Sequence, residues 1–266
     1  MKATDVTSSA AGRAFPVASP VVVVRNLRKT YGAVVAVENL SFAIEVGEIF
    51  GIVGPNGAGK TTTVECLIGL RSPEGGSLRV LGLDPRTQGR ELRRRIGVQL
   101  QQAALPDDMK VWEALSLFAS LYPRSVDREL LLDAWGLREK RNARFATLSG
   151  GQKQRLFIAL SLVNDPELVV LDELTTGLDP QARRGTWEMI VGLRDAGKTV
   201  VLVTHSMEEA QKLCSRVAII DGGRLIALDT PQRLVNGLEA IPANLRGEQA
   251  SLEDVFLALT GHEMRA

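Results

Sequence analysis

The stretch GIVGPNGAGKTTTVECLIGL, residues 51–70, constrains the fold more than any other part of the sequence. An apolar run is followed by GPNGAGKT at 54–61, which fits G-x-x-x-x-G-K-[ST] at every fixed position, and then by a helix predicted from about Lys60 to Leu70. Glycines let the backbone approach an anion and turn its N–H groups inward, and a helix N-terminus favours negative charge. The stretch therefore predicts a phosphate-binding loop between a strand and a helix.

Two side chains of this loop have chemistry suited to a nucleotide. Lys60 reaches the β- and γ-phosphates in such loops, and the hydroxyl of Thr61 can ligate Mg²⁺. The alternative, a glycine turn with a chance lysine, leaves the strand and helix on either side unexplained. The loop alone still allows a kinase, a GTPase, a helicase or a motor, so the rest of the chain must choose among them.

Composition narrows the class of protein. The formal net charge is +1 over 266 residues, without the basic excess of a typical nucleic-acid binder. Two cysteines are too few for a disulfide framework, and no apolar run approaches the roughly 20 residues that a transmembrane helix needs. Residues 1–20 are rich in Ala and Ser and lack a continuous apolar core, so we expect a disordered tail rather than a signal peptide.

The order of apolar patterns predicts an α/β domain. Residues 21–46 alternate like antiparallel strands, whereas the region from about 102 to 146 has the three- and four-residue spacing of amphipathic helices. Elsewhere strands and helices alternate, which implies a mostly parallel sheet covered by helices. The predicted strands are IFGIV at 49–53, SLRVLG at 77–82, IGVQL at 96–100, LVVLDE at 168–173, TVVLVTH at 199–205, RVAIID at 216–221 and GRLIALD at 223–229.

Polar side chains follow two of these strands. Asp172 and Glu173 come directly after four apolar residues, and His205 ends the strand TVVLVTH. In α/β sheets, ligands bind beyond the carboxyl ends of the strands. Asp172 is therefore placed to hold Mg²⁺ through water, and Glu173 to orient and polarise an attacking water. From position alone, His205 is as consistent with a surface residue as with a contact to the γ-phosphate.

A second anion site is predicted at TLSGGQKQR, residues 147–155. Ser149, Gly150 and Gly151 have the residue types of an anion-binding helix start, and a helix follows them. One phosphate loop already serves this chain's own nucleotide. If the second site belongs to the nucleotide of a partner, two chains would sandwich two ATP molecules head to tail.

With this stretch, the chain resembles the nucleotide-binding subunit of an ATP-binding cassette (ABC) transporter. The resemblance covers about residues 21–230, has the motifs in family order and includes LSGGQ without change. It implies a P-loop NTPase of the ABC type, with a mostly parallel core sheet, an antiparallel N-terminal β-subdomain and an inserted α-helical subdomain. The implied division is a disordered tail at 1–20, an ATPase domain at 21–230 with its helical subdomain at about 102–160, and a short C-terminal tail at 231–266 that ends in an amphipathic helix.

The resemblance also implies roles for individual residues. Catalysis is assigned to Glu173 as the base, His205 as the switch histidine and Gln101, which also senses the partner domain. The metal ligands are Thr61, Gln101 and Asp172. ATP is bound by the adenine-stacking Tyr31, by the phosphate-loop residues Gly54, Pro55, Asn56, Gly57, Ala58, Gly59, Lys60, Thr61 and Thr62, and, from the opposite subunit, by Ser149, Gly150, Gly151, Gln152 and Asp179.

Two positions depart from the family pattern or leave it ambiguous. The family has proline after the catalytic glutamate, but here Leu174 restores a backbone N–H and frees φ, which could loosen the turn that positions Glu173. We expect activity to survive this change. Gln99, Gln101 and Gln102 lie close together, and family spacing from IGV favours Gln101 as the residue at the metal.

The C-terminal sequence narrows the implied partners. SLEDVFLALTG, residues 251–261, resembles the end of ATPase subunits from the bacterial branch of daunorubicin-resistance and multidrug exporters, although the usual members have a longer segment before it. The resemblance implies a homodimer or heterodimer of ATPase subunits on the cytoplasmic face of a bacterial cell membrane. It also implies a separate integral-membrane permease of about six spans, and no nucleic acid. Substrates of this branch are drugs, antibiotics, lipids or polysaccharides.

Other cassette ATPases are alternatives. DNA-repair members carry long coiled coils between the phosphate loop and the signature, and translation factors carry two cassettes; neither feature is in this sequence. A P-loop kinase would leave LSGGQ unexplained. A soluble ABC-type ATPase of iron–sulfur cluster assembly has one cassette and stays open as the alternative function.

Overall fold

A computed structural model describes residues 20–101, 103–238 and 250–261 of the chain. The predicted disordered tail at 1–20 lies outside these ranges except for its last residue, and so does Gln102. None of the helices in the described ranges is both long and apolar enough to cross a membrane.

An antiparallel sheet of three strands, in the order β2–β1–β4, forms the N-terminal layer. Its strands are β1 (Val22–Tyr31), β2 (Val34–Ile44) and β4 (Gly75–Val80). Along these strands buried and exposed positions alternate, and apolar residues occupy the buried positions. One face of the sheet must therefore be covered. That face packs on the central sheet.

The central sheet has six strands in the order β5–β6–β7–β3–β8–β9. All neighbouring pairs are parallel except β8–β9, which is antiparallel. The predicted α/β class, with an antiparallel N-terminal sheet and a mostly parallel core sheet, is confirmed. The strand bounds are β3 Ile49–Val53, β5 Ile96–Gln99, β6 Leu168–Asp172, β7 Thr199–Thr204, β8 Arg216–Asp221 and β9 Arg224–Asp229.

Helices cover the central sheet and form the part between β5 and β6. Short 3₁₀ turns lie at Arg138–Lys140 and Phe145–Thr147 within that part. The helices of the described ranges are α1 Lys60–Leu67, α2 Gly89–Leu92, α3 Val111–Ser120, α4 Arg128–Ala134, α5 Gly150–Ser161, α6 Pro180–Asp195, α7 Met207–Leu213, α8 Pro231–Gly237 and α9 Leu252–Thr260. The boundaries of the ATPase domain and its helical subdomain stay predictions.

Strand β3 separates two hydrophobic cores. Ile49 and Val53 belong to the core shared with the helices, which we call the helix-side core. Phe50 and Ile52 belong to the core shared with the antiparallel sheet and α1. This is the period-2 alternation of a strand, with apolar side chains on both faces because both faces are covered. The end of β3 is therefore fixed from two sides, and the phosphate loop begins there.

The C-terminal stretch differs from a plain tail. Residues Pro231–Gly237 form α8, which the sequence reading did not predict. Helix α9 buries Leu252, Val255 and Phe256 in the helix-side core, and the Leu252 N–H donates a hydrogen bond to Gln211 Oε1 of α7 at 3.0 Å. Helix α9 is thus packed on the helix that follows His205. Residues 239–249 and 262–266 of the predicted tail lie outside the described ranges.

Candidate functional site

The phosphate loop has a backbone that its glycines make possible. Gly54, Gly57 and Gly59 have φ values of 157°, 81° and 98°. A Cβ at Gly54 would lie 2.0 Å from the Ile220 carbonyl oxygen, and one at Gly59 would lie 2.4 Å from the Ala36 carbonyl oxygen. The loop therefore needs glycine for two reasons: its backbone has a left-handed conformation at Gly57 and Gly59, and it lies in close contact with neighbouring backbone at Gly54 and Gly59. Helix α1 begins directly after the loop.

Lys60 is folded back on this loop. Its side chain is only 4% exposed, and Nζ donates hydrogen bonds to the carbonyl oxygens of Gly54 at 2.8 Å and Pro55 at 3.0 Å. Burial lowers the pKa of the ammonium group, while the carboxylates of Glu173 and Asp172 act in the opposite direction. A triphosphate in the loop would give this ammonium a charged partner in place of two carbonyl oxygens.

Gly59 and Gly57 offer a matched pair of substitutions. An alanine at either position must adopt a positive φ, at a cost of roughly 1–2 kcal/mol, but a Cβ at Gly57 has no neighbour within 4 Å. Gly59→Ala adds the overlap with the Ala36 carbonyl, so we expect it to lower the free energy of unfolding by about 1–3 kcal/mol more than Gly57→Ala. Urea unfolding of both variants measures the difference, and equal losses would contradict the role of the Ala36 contact.

Asp172 ends β6 with a carboxylate that has no protein partner. The residue is 1% exposed, and both carboxylate oxygens are buried without a hydrogen bond. Burial, with the nearby charge of Glu173, raises the pKa of Asp172 to about 6, which Lys60 partly offsets. A buried carboxylate whose oxygens lack donors is suited to a cation, because a cation supplies the charge that the protein does not.

Glu173 follows in a left-handed conformation, with φ of 50°. Its N–H donates to the Val203 carbonyl of β7 at 2.9 Å, which fixes the backbone to the neighbouring strand. One carboxylate oxygen accepts a hydrogen bond from Gln101 Nε2 at 2.6 Å, and the other lies 3.3 Å from His205 Nδ1. Three residues from different loops thus meet at one carboxylate, and the Glu173 side chain is only 8% exposed.

Parallel register explains why these residues meet. Asp172 pairs with Val203 across β6 and β7, so both strands end at the same edge and their following residues, Glu173 and His205, lie side by side. Strand β5 joins β6 on its other side and leads to Gln101. The structure therefore brings together the three residues that the sequence assigned to catalysis.

The neighbouring glutamines have different environments. The Gln99 side chain is buried, and its Nε2 donates to the Leu100 carbonyl at 2.8 Å rather than to Glu173. Gln101 is the glutamine that reaches Glu173. Gln102 lies outside the described residues. Among the two glutamines that can be compared, the geometry favours Gln101.

Leu174 contributes its side chain to the helix-side core, where it is 1% exposed. A proline there would disfavour helical φ and ψ values at the preceding residue. Leucine places no such restriction on Glu173, which here has a positive φ. The exchange therefore affects the backbone of the glutamate as well as the packing beneath it.

The second predicted anion site lies apart from this cluster. Ser149 caps α5, and its hydroxyl accepts from the Gln152 N–H at 3.3 Å while Gln152 Oε1 accepts from the Ser149 N–H at 2.9 Å. Ser149, Gly150 and Gly151 line a cavity of about 520 Å³ together with Asp179, which caps α6. His205 lines a different cavity of about 430 Å³. The signature residues are thus not part of the Glu173 cluster within one chain.

Tyr31 stands at the end of β1 with 41% of its surface exposed, as a stacking platform requires. Lys29 Nζ lies 5.3 Å and the Arg71 guanidinium 5.9 Å from the centre of its ring. The sequence analysis did not single out these two cations. Lys29 could have been predicted, because it is two residues from Tyr31 on one strand and so lies on the same face. Nothing in the local sequence indicates that Arg71 lies near the Tyr31 ring.

A family model described as ABC transporter matches residues 37–176. Nod factor export ATP-binding protein I of Burkholderia orbicola (strain AU 1054) is 39% identical over 295 aligned residues, which cover 91% of this chain and 97% of that protein.

Two solved structures have the same fold. The structure of an ATP-binding subunit of an ABC transporter has a TM-score of 0.78 and 26% identity, covering 90% of this chain and 99% of that one. A dimeric post-hydrolysis state of an ATP-binding cassette, bound to ADP and Pi, has a TM-score of 0.70 and 27% identity, covering 79% and 98% of the two chains.

Proposed function

This chain belongs to the ABC transporter family and is an ATP-binding subunit with ATPase activity, and from that premise we propose that its hydrolysis drives export through a separate membrane permease. The observation that carries the catalytic part is the Glu173 carboxylate, which lies between Gln101 and His205 at the edge of the sheet where the phosphate loop begins. The similarity to an export ATP-binding protein over nearly its full length carries the transport part.

In this proposal, Glu173 is the general base of hydrolysis. A water held at the carboxylate attacks the γ-phosphorus, its proton passes to Glu173, and the bond from the γ-phosphorus to the β–γ bridging oxygen breaks to leave ADP and phosphate. The hydrogen bond from Gln101 fixes one oxygen of the carboxylate before the water arrives, and His205 Nδ1 lies 3.3 Å from the other oxygen. Lys60 balances the charge of the β- and γ-phosphates.

The side chains around Asp172 are suited to bind Mg²⁺ together with a nucleotide. Within the described ranges no three His, Cys, Asp or Glu side chains cluster as a metal site, whereas Mg²⁺ bound with a nucleotide needs only one or two carboxylates besides phosphate oxygens. Asp172 would hold it directly or through water, with the Thr61 hydroxyl and the Gln101 amide oxygen. When bound, the ion supplies positive charge at the β- and γ-phosphate oxygens.

A second ATPase subunit completes the site in this proposal. The signature at Ser149, Gly150 and Gly151 lines another cavity than His205, so it is free to contact the nucleotide of a partner subunit. Dimerisation is supported by the related cassette whose structure is a dimer. Each nucleotide then lies between the phosphate loop of one subunit and the signature of the other, and hydrolysis weakens the link between them.

The proposed partner is a permease of about six spans, and the proposed location is the cytoplasmic face of a bacterial membrane. The Burkholderia relative is named for export of Nod factor, and the substrate class we propose here is the broader one of drugs, antibiotics, lipids and polysaccharides. A transport role fits these relatives better than iron–sulfur cluster assembly does.

A pull-down from native membranes tests the transport assignment. Tagged Glu173→Gln protein should hold ATP without hydrolysing it and so retain its partners in the closed state. We expect a polytopic membrane protein to be recovered with ATP. Recovery of soluble proteins alone, from membranes that contain the full set of transport proteins, would contradict the exporter assignment and favour the soluble alternative.

A further inference from the structure

Glu209 is a buried carboxylate that the proposed mechanism does not use. It lies in the first turn of α7 with 0% of its surface exposed. Its Oε1 accepts a hydrogen bond from the indole Nε1–H of Trp187 on α6 at 2.9 Å, and its Oε2 is buried without a partner. A carboxylate that is desolvated in this way for one hydrogen bond is costly, so its presence calls for a reason other than stability.

The local sequence gives this glutamate another natural partner. Ser206-x-x-Glu209 fits the capping box, in which the glutamate accepts from the N–H of the capping serine. Two other serine-capped helices of the described ranges form that reciprocal pair, at Ser149–Gln152 and Ser251–Asp254. At α7 only half of it forms: the Glu209 N–H donates to Ser206 Oγ at 3.2 Å, but the Ser206 N–H donates to Thr204 Oγ1 at 3.0 Å.

The Glu209 carboxylate links α7, which starts beside His205, to α6, which starts in the signature cavity. Helix α7 begins one residue after Ser206, which directly follows His205, and α6 begins at the residue after Asp179. The Trp187–Glu209 bond crosses between these helices in the protein interior. At the surface, Arg183 lies 4.0 Å from Glu208 and Lys212 lies 4.9 Å from the Trp187 ring, but solvent screens such contacts.

We propose that Glu209, held by Trp187, is a positioning residue that fixes the start of α7 and with it the imidazole of His205 relative to α6. It touches no reacting atom; its effect on hydrolysis passes through His205. The proposal deepens the function proposed above and rests on it. Tyr31, proposed to stack on adenine, and the phosphate loop lie on other elements. Loss of the Trp187–Glu209 bond should therefore alter the chemical step and leave nucleotide affinity unchanged.

The main variant is Glu209→Met, which keeps roughly the length of the side chain but removes the oxygen that accepts from the Trp187 indole; a glutamine would keep that acceptor. We expect kcat for ATP to fall by about ten-fold while KM changes less than about two-fold, because a small displacement of a catalytic group affects the chemistry alone. Glu208→Met is the matched control: it makes the same change one residue earlier on the exposed face of α7, and it should keep kcat within about two-fold.

A spectroscopic measurement without nucleotide separates this role from general packing. The chain has only two histidines, His205 and His262, so imidazole NMR signals are few, and a His262→Ala variant identifies that of His205. Glu209→Met in the full chain should shift or broaden the His205 signal, and Glu208→Met should not. Trp187→Phe, which removes the donor, should reproduce both effects, and combining it with Glu209→Met should add nothing further.

The outcomes distinguish this inference from the proposed function. If Glu209→Met lowers only the melting temperature, or changes kcat and KM together, with the His205 signal unmoved, the bond is a packing contact and the inference is overturned. If the unmodified chain does not hydrolyse ATP, the proposed function fails, while the NMR comparison still decides whether Glu209 positions His205. If Trp187→Phe fails to fold, Glu209→Met and its control decide alone.

Discussion

Glu173→Gln lowers ATP turnover by about 10³-fold and leaves ATP binding intact. The amide keeps the shape of the side chain and can still meet Gln101, but it cannot accept the proton of the attacking water. General bases contribute about 10²–10⁴-fold to a rate, so the expected loss lies in the middle of that range. Steady-state phosphate release measures turnover, and equilibrium binding of ATP measures the affinity.

Sedimentation with ATP supplies a second measure. In the variant the closed dimer should accumulate, since the step that opens it is blocked. The control is Glu188→Gln on the exposed face of α6, which should hydrolyse ATP at the unmodified rate. If Glu173→Gln kept more than about a tenth of the turnover, the base would be another group, and the assignment of Glu173 would be wrong.

Asp172→Asn should stabilise the nucleotide-free chain and at the same time abolish Mg²⁺-dependent hydrolysis. The carboxylate is buried without donors, and its pKa is raised to about 6 from an ordinary value of 3.8. A raised acid pKa means that the native state holds the proton more tightly than the unfolded chain does. The free energy of unfolding therefore falls as the pH rises from about 4 to about 6 and stays lower above that range.

Removing the charge recovers this loss. Above pH 6 we expect Asp172→Asn to raise the free energy of unfolding by on the order of 1–3 kcal/mol, which corresponds to a rise in melting temperature of about 2–6 °C. Below pH 4 the difference should vanish. Calorimetry at pH 8 and pH 4 without metal or nucleotide checks the sign. A variant that is less stable at both pH values would show that the Asp172 charge is satisfied by the protein.

Activity gives the other half of the Asp172 prediction. Without the carboxylate, Mg²⁺ should no longer raise turnover, and the loss should reach at least about 10²-fold. Stability and activity then move in opposite directions, as expected where a site keeps a strained charge for function. Loss of both together would indicate misfolding instead.

The phosphate loop was predictable because its chemistry is local. Glycines at 54, 57 and 59 encode positive φ values, and the lysine and threonine follow at fixed spacing, so a short stretch of sequence specifies the loop. The meeting of Gln101, Glu173 and His205 was less accessible. It depends on the register of β5, β6 and β7, which the sequence does not encode locally. The family resemblance predicted that the three residues act together, and the strand register explains how they come to lie side by side.

Other features could not be deduced from the sequence. Ser206-x-x-Glu209 is indistinguishable from a reciprocal capping box until Thr204 is seen to take the serine N–H. Trp187, which donates the hydrogen bond to the Glu209 carboxylate, lies 22 residues before Glu209 and is brought near it only by packing of α6 on α7. Helix α8 after Pro231 has too few residues for a clear periodic pattern. In each case tertiary contacts selected among options that were locally equivalent.

Strand β3 is the element that we expect to open last. Its four apolar residues belong alternately to the two hydrophobic cores, and its backbone pairs with β7 on one side and β8 on the other. Local opening of either layer leaves the strand held by the other, so we expect its amides to be among the slowest to exchange with solvent. The phosphate loop at its end is attached to that element, and the nucleotide site should therefore persist when the surfaces around it open.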